Sequence, residues 1–182
     1  MSIERVFVIG AGLMGHGIAQ VSAAVGKSVT LSDRTPELAE KGKARIAGNL
    51  ARQVEKGKLE QGAAEAILAR IATSVGADAA AGHDIVIEAV FEDEAIKRET
   101  WGRLTAAADA SAIFASNTSS ISITSLATAT DRPAKFIGLH FFSPVPVMRL
   151  IEIIRGLETD DATAAACRAF AMELGKTVIE SR

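Results

Sequence analysis

The chain has 182 residues, 48% hydrophobic and 23% charged, which suits a single domain able to bury a full core. Twenty basic and 22 acidic side chains leave a net charge of -2, a field too weak to gather nucleic acid or an anionic membrane surface. With one cysteine, Cys167, an intrachain disulfide or a thiolate metal cluster is excluded, and its alanine-rich surroundings suit a thiol packed in a helix.

The opening Met1-Ser2-Ile3-Glu4-Arg5 carries no basic leader and no stretch is apolar over a bilayer's width, so a cytoplasmic protein without a membrane partner is expected. Residues 5–9 form an apolar run ending at Gly10 and predict a strand. Leu13, Ile18 and Val21 then recur at helical spacing, predicting a helix over 13–25 closed by Gly26. A second strand is predicted over 28–32, ended by Asp33, after which Pro36 suits the first turn of a polar helix reaching about residue 56. The alanine and glutamate content of 59–66 favours a helical arm over a linker. Residues 84–90 and 113–116 are of the buried strand type, with a helix over 94–108 between them. Two more strands are predicted over 136–142 and 149–154. Ser143-Pro144-Val145-Pro146-Val147 is too short for a parallel crossover, so these two should be antiparallel. A helix near 160–174 and a short strand over 177–179 finish the chain. The alternation predicts an α/β protein with a doubly wound, mostly parallel sheet, an antiparallel hairpin near its C-terminal end, and no internal domain boundary.

Gly10-Ala11-Gly12-Leu13-Met14-Gly15 fits G-x-G-x-x-G, and its place between a strand and a helix gives the pattern meaning. Gly10 can make the tight turn, Gly12 can admit a pyrophosphate to the backbone, and Gly15 can let helix pack on strand. The N–H groups at the start of that helix, around Leu13 and Met14, then face the phosphates. Asp33 stands where a carboxylate would bind the adenosine ribose and repel a 2′-phosphate, favouring NAD over NADP. It could equally cap the next helix, and Arg34 beside it could accept the extra phosphate.

His140 and Glu152 are twelve residues apart with Pro146 midway, so a hairpin paired symmetrically about that point sets them opposite each other on one face. A carboxylate there would fix the imidazole tautomer and stabilise the imidazolium formed when the other nitrogen takes a proton, as oxidation of an alcohol by NAD requires. A structural histidine beside a solvated glutamate would show the same spacing. Ser116-Asn117-Thr118-Ser119-Ser120 follows the strand over 113–116, at the end where open α/β sheets bind ligands, though such residues also favour turns and caps. Ser119 could reach a substrate oxygen or the nicotinamide. His16 and His83 have no comparable partner and read as structural or surface residues.

With these residues in hand, the sequence resembles the 3-hydroxyacyl-CoA dehydrogenase family, including its short-chain 3-hydroxybutyryl-CoA members, along nearly its whole length. The resemblance rests on Val8-Ile9-Gly10-Ala11-Gly12-Leu13-Met14-Gly15, on Ile87-Glu88-Ala89-Val90-Phe91-Glu92, on Phe114-Ala115-Ser116-Asn117-Thr118-Ser119-Ser120, and on Gly138-Leu139-His140-Phe141-Phe142-Ser143-Pro144 through Leu150-Ile151-Glu152. It implies a Rossmann-type NAD-binding domain over 1–182, NAD as cofactor, and a 3-hydroxyacyl-CoA or 3-oxoacyl-CoA as substrate in fatty acid metabolism. It also implies roles for single residues. His140 would be the catalytic base with Glu152 as its partner. Ser119 would contact substrate and nicotinamide, Glu92 would lie near the nicotinamide ribose, and Lys97 and Asn117 would touch the cofactor. Asn49 and Lys56, on the helical arm, would meet coenzyme A, although surface lysines would look the same. Ser143 stands where many members have asparagine and should alter the hydrogen bonding there.

The family continues past this point through a Pro-Gly-Phe segment into a helical domain that forms its usual dimer interface and closes the site. Here the sequence ends at Glu180-Ser181-Arg182, so activity of the 182 residues alone is left open. Two other readings remain: a module that binds NAD(H) without chemistry, and a dehydrogenase of a non-CoA hydroxy acid of the gulonate or carnitine type. A catalytic pair is superfluous to the first, and the stretch over 141–148 looks more like the acyl-CoA members than the second.

Overall fold

A computed structural model describes residues 2–181. Its chain runs β1 (Arg5–Ile9), α1 (Gly15–Ala24), β2 (Ser28–Asp33), α2 (Pro36–Glu55), α3 (Gln61–Ala69), β3 (Ile71–Val75), β4 (Ile85–Glu88), α4 (Glu94–Ala107), β5 (Ile113–Ser116), α5 (Ile123–Ala127), β6 (Phe136–Phe141), β7 (Leu150–Arg155), α6 (Asp161–Glu173) and β8 (Thr177–Ser181). The strands form one sheet in the order β3-β2-β1-β4-β5-β6-β7-β8, parallel throughout except where β7 meets β6. Chain direction across the sheet reverses between β1 and β4, so the C-terminal ends of those strands open a crevice of the kind in which doubly wound sheets hold ligands.

Central strands bury both faces, and successive residues therefore enter different cores. Val6, Val8, Leu31, Ile87, Leu139 and Ile153 pack under α1, α2, α3 and α6. Phe7, Val86, Phe114 and Phe136 pack under α4 and α5, around Trp101. Its indole lies 4.9 Å from the Phe114 ring and 4.8 Å from that of Phe136. Helix starts carry the side chains that such starts need: Thr35 caps α2 ahead of Pro36, Asp93 caps α4, Ser122 caps α5 and Asp160 caps α6. Cys167 is buried in α6, and burial pushes its thiol up to about 12.

Several expectations are corrected. The first helix begins at Gly15 rather than 13, because residues 12–14 make a turn, and Leu13 is 68% exposed instead of lying on the buried stripe. The strand expected over 84–90 ends at Glu88, and the last strand runs on to Ser181. The edge strand β3 and the short α5 are additions. Among the described residues no helix is long and apolar enough to cross a membrane, and no group of side chains is placed to hold a metal.

Candidate active site

The glycine loop joins β1 to α1 at the crevice. Gly10 has φ of +98°, and a Cβ there would stand 2.5 Å from the Ala89 carbonyl oxygen on the neighbouring strand's exit. A Cβ at Gly15 would stand 1.7 Å from the Gly10 oxygen, whereas Gly12 faces open space. The loop is thus closed against the protein at both ends and bare in the middle, just ahead of the N-terminus of α1. Asp33, at the end of β2, ties the loop down: one carboxylate oxygen accepts from Ala11 N at 2.7 Å and the other from Arg34 N at 2.7 Å. These features fit a dinucleotide, with pyrophosphate over Gly12 and a ribose beside Asp33. Leu13 is exposed beside this opening, and Met14 is half-buried against the core.

On the other side of the switch point, β4 ends at Glu88, which is fully buried and so is Lys97 of α4. Their ion pair is 2.6 Å long, and Glu88 also accepts from Val90 N at 2.9 Å and Ser116 Oγ at 2.6 Å. The same ammonium lies 3.2 Å from Glu92, whose other oxygen gathers the loop after β5 through the Thr118 hydroxyl, Ser119 N at 2.9 Å and the Ser119 and Ser120 hydroxyls at 3.4 and 3.3 Å. Partial burial acts to raise the Glu92 carboxyl, but the Thr118 hydroxyl, the Ser119 amide and Lys97 outweigh it and hold it at about 2. Lys97, expected to touch the cofactor, is buried here between Glu88 and Glu92, and Glu92 links it to the edge of the cleft. The Oδ1 of Asn117 accepts from Phe141 N at 2.9 Å, fastening β6 to the end of β5.

The hairpin register is His140 opposite Glu152. Nδ1 of the imidazole lies 3.3 Å from Glu152 Oε2, with the side chains 17% and 29% exposed, and Nε2 has no protein partner among the described residues. The Phe142 ring packs on the imidazole with centroids 4.4 Å apart. The linking segment, with its exposed Ser143 and cis Ser143–Pro144 peptide, is held from two sides. Lys176 donates to the carbonyls of Val145 at 2.6 Å and Met148 at 2.7 Å, and burial holds its ammonium below the usual lysine range. Val145 itself is buried against Gly17 of α1, where a Cβ would stand 2.8 Å from Val145 Cβ.

A cavity of about 660 Å³ opens between α1 and α2, lined by Leu13, His16, Lys41, Arg45, Asn49 and Arg52 among others. Asn49 bonds to Gln20 and Arg52. Lys56, expected to join Asn49, lies two turns further along at the exposed end of α2 and does not line the cavity. His16 Nδ1 donates to the Gly12 carbonyl oxygen of the loop at 2.6 Å. His83 bonds Thr30 and packs edge-on against Phe7, away from the cleft. Lys41, Arg45 and Arg52 escaped the sequence reading because cations on a polar helix look like a solvated face. Only the closeness of α1 turns that face into a pocket.

The 3-hydroxyacyl-CoA dehydrogenase NAD-binding domain model matches residues 5–182. The chain belongs to this family. It is 50% identical over 179 residues to the 3-hydroxybutyryl-CoA dehydrogenase of Bradyrhizobium diazoefficiens, covering 98% of this chain and 61% of that protein. It is 45% identical over 182 residues to the human mitochondrial hydroxyacyl-coenzyme A dehydrogenase, covering 96% of this chain and 57% of that protein. Among solved structures, (S)-3-hydroxybutyryl-CoA dehydrogenase PaaH1 from Ralstonia eutropha superposes with a TM-score of 0.97 at 45% identity, over all of this chain and 64% of that one. The chain thus spans about three fifths of the length of these relatives. As in the family whose domain it matches, its cofactor is NAD, and the loop and Asp33 fit that group.

Proposed function

We propose that residues 1–182 are the NAD-binding, proton-transferring domain of a dehydrogenase that interconverts (S)-3-hydroxyacyl-CoA and 3-oxoacyl-CoA, of the short-chain kind. The contact between His140 Nδ1 and Glu152 Oε2 carries the reading. Bound NAD supplies the hydride acceptor. As the carbinol carbon gives up its hydride and its C–O bond becomes a carbonyl, the hydroxyl proton needs a base, and His140 Nε2 is free to take it. Glu152 keeps Nδ1 protonated and stabilises the cationic ring, as a carboxylate does behind a catalytic histidine. In the reverse direction the ring returns the proton to the carbonyl oxygen. Ser119, held at its amide by Glu92, offers its hydroxyl to the substrate oxygen or the nicotinamide.

The cation-lined cavity beside the glycine loop favours a substrate carrying phosphates over a small hydroxy acid, since Lys41 and Arg45 have no carboxylate partner among the described residues. Asn49 would meet the coenzyme there. A binding module without chemistry would have no use for the His140–Glu152 pair. The further length of the relatives supports a following part of the chain; on this reading it is helical, closes the site and forms a dimer, in a cytoplasmic enzyme. The test is NADH oxidation with acetoacetyl-CoA by the full-length protein, beside His140→Gln. Loss of turnover by roughly a hundredfold to ten-thousandfold, with NADH binding kept, is expected; undiminished turnover in the variant overturns the proposal.

A further inference from the structure

Glu152 has a second partner that the histidine pairing does not use. Its Oε1 accepts a hydrogen bond from Ser181 Oγ at 3.0 Å, while Oε2 faces His140. Strand β8 runs parallel to β7 with Glu152 level with Ile179 and Ile154 level with Ser181. Alternation therefore sends Glu152 and Ser181 to the same face, and Arg155 and Glu180 to the other, beside α6. There Arg155 pairs with Asp161 and Glu180 pairs with Arg168. The helix on the dyad's own face, α5, has no charged residue, and β6 has none besides His140. Among these elements, Ser181 is the one polar group besides the imidazole that engages the Glu152 carboxylate.

We propose that Ser181 is a positioning residue that makes a third member of the His140–Glu152 pair. A carboxylate turns readily about its last torsion and can offer either oxygen or neither in line with the ring. A hydroxyl fixed on Oε1 removes that freedom and keeps Oε2 at Nδ1. It also draws charge from the carboxylate, so the dyad releases its proton more readily than a bare His–Glu pair. The catalytic meaning of this rests on the dehydrogenase reading above; the coupling between Ser181 and the imidazole does not.

The experiment compares the full-length protein with its Ser181→Ala and Ser181→Thr variants. Loss of the hydroxyl should move the acid limb of kcat/KM for hydroxyacyl-CoA oxidation upward by about half a pH unit. It should lower kcat a few-fold with KM for NAD unchanged, and threonine should restore both. In parallel, NMR of the imidazoles, with His140 assigned through its loss in His140→Gln, should show the same upward displacement for His140 alone. Coincident titrations in Ser181→Ala and the unaltered protein overturn the proposal, whether or not the protein turns over. Should turnover be absent, or survive His140→Gln, while the His140 resonance still moves with Ser181, the dehydrogenase reading fails and the coupling stands.

Discussion

Replacing Lys97 by methionine keeps the length of the side chain and removes its charge, leaving Glu88 wholly enclosed without a cation. Neither side chain has solvent access, so water cannot take over the 2.6 Å contact. Breaking a buried pair in this way costs about 3–5 kcal/mol. The Val90 amide and the Ser116 hydroxyl still solvate Glu88, which places the expected loss at the lower end, about 3 kcal/mol. At this chain length that corresponds to a fall in Tm of roughly 6–12 °C. A second change, Glu88→Gln, removes the stranded charge while its amide can still accept from Val90 N and donate to Ser116 Oγ. The double variant should regain about 2 kcal/mol of the loss. Urea unfolding followed by fluorescence of Trp101, the single tryptophan and a fully buried one, measures both. A Lys97→Met protein within about 0.5 kcal/mol of the unaltered one, or a double variant no better than the single, would refute the reasoning.

Gly15→Ala places a methyl 1.7 Å from a backbone oxygen that has nowhere to go. It should cost about 1–3 kcal/mol and abolish the binding of NADH measured by fluorescence titration, and retained affinity would contradict the loop assignment. Glu92 titrates at about 2, below its ordinary 4.5, so its bonds to Thr118, Ser119 and Lys97 stabilise the fold above the ordinary value and are lost as pH falls toward 2. Its side chain is 38% exposed, so solvent screens part of the effect. Acid unfolding should therefore be flatter between pH 4.5 and 2 in Glu92→Gln, and parallel curves would count against the assignment.

The parts of the site that were legible in the sequence are those set by local spacing. G-x-G-x-x-G between strand and helix fixes where the chain must turn, and a short linker between two strands fixes their pairing, which set His140 across from Glu152. What escaped depends on elements far apart in the chain. Ile71-Ala72-Thr73-Ser74-Val75 is a half-buried edge strand with little apolar pattern, and its pairing with β2 makes it a strand. Glu88 reads as one more residue of a buried run. Only the approach of α4 from the next layer gives it Lys97. Ser181 lies 29 residues from Glu152 and meets it only because β8 pairs beyond β7.

Where Val145 fills the gap left by the missing side chain of Gly17, the helix that starts at the glycine loop and the hairpin that carries His140 share a wall with no slack. A displacement of α1 as its N-terminus takes up a ligand is transmitted by hard contact to the histidine's support, since close-packed interiors yield little under load. On the dehydrogenase reading proposed above, this contact would register the cofactor loop to the histidine.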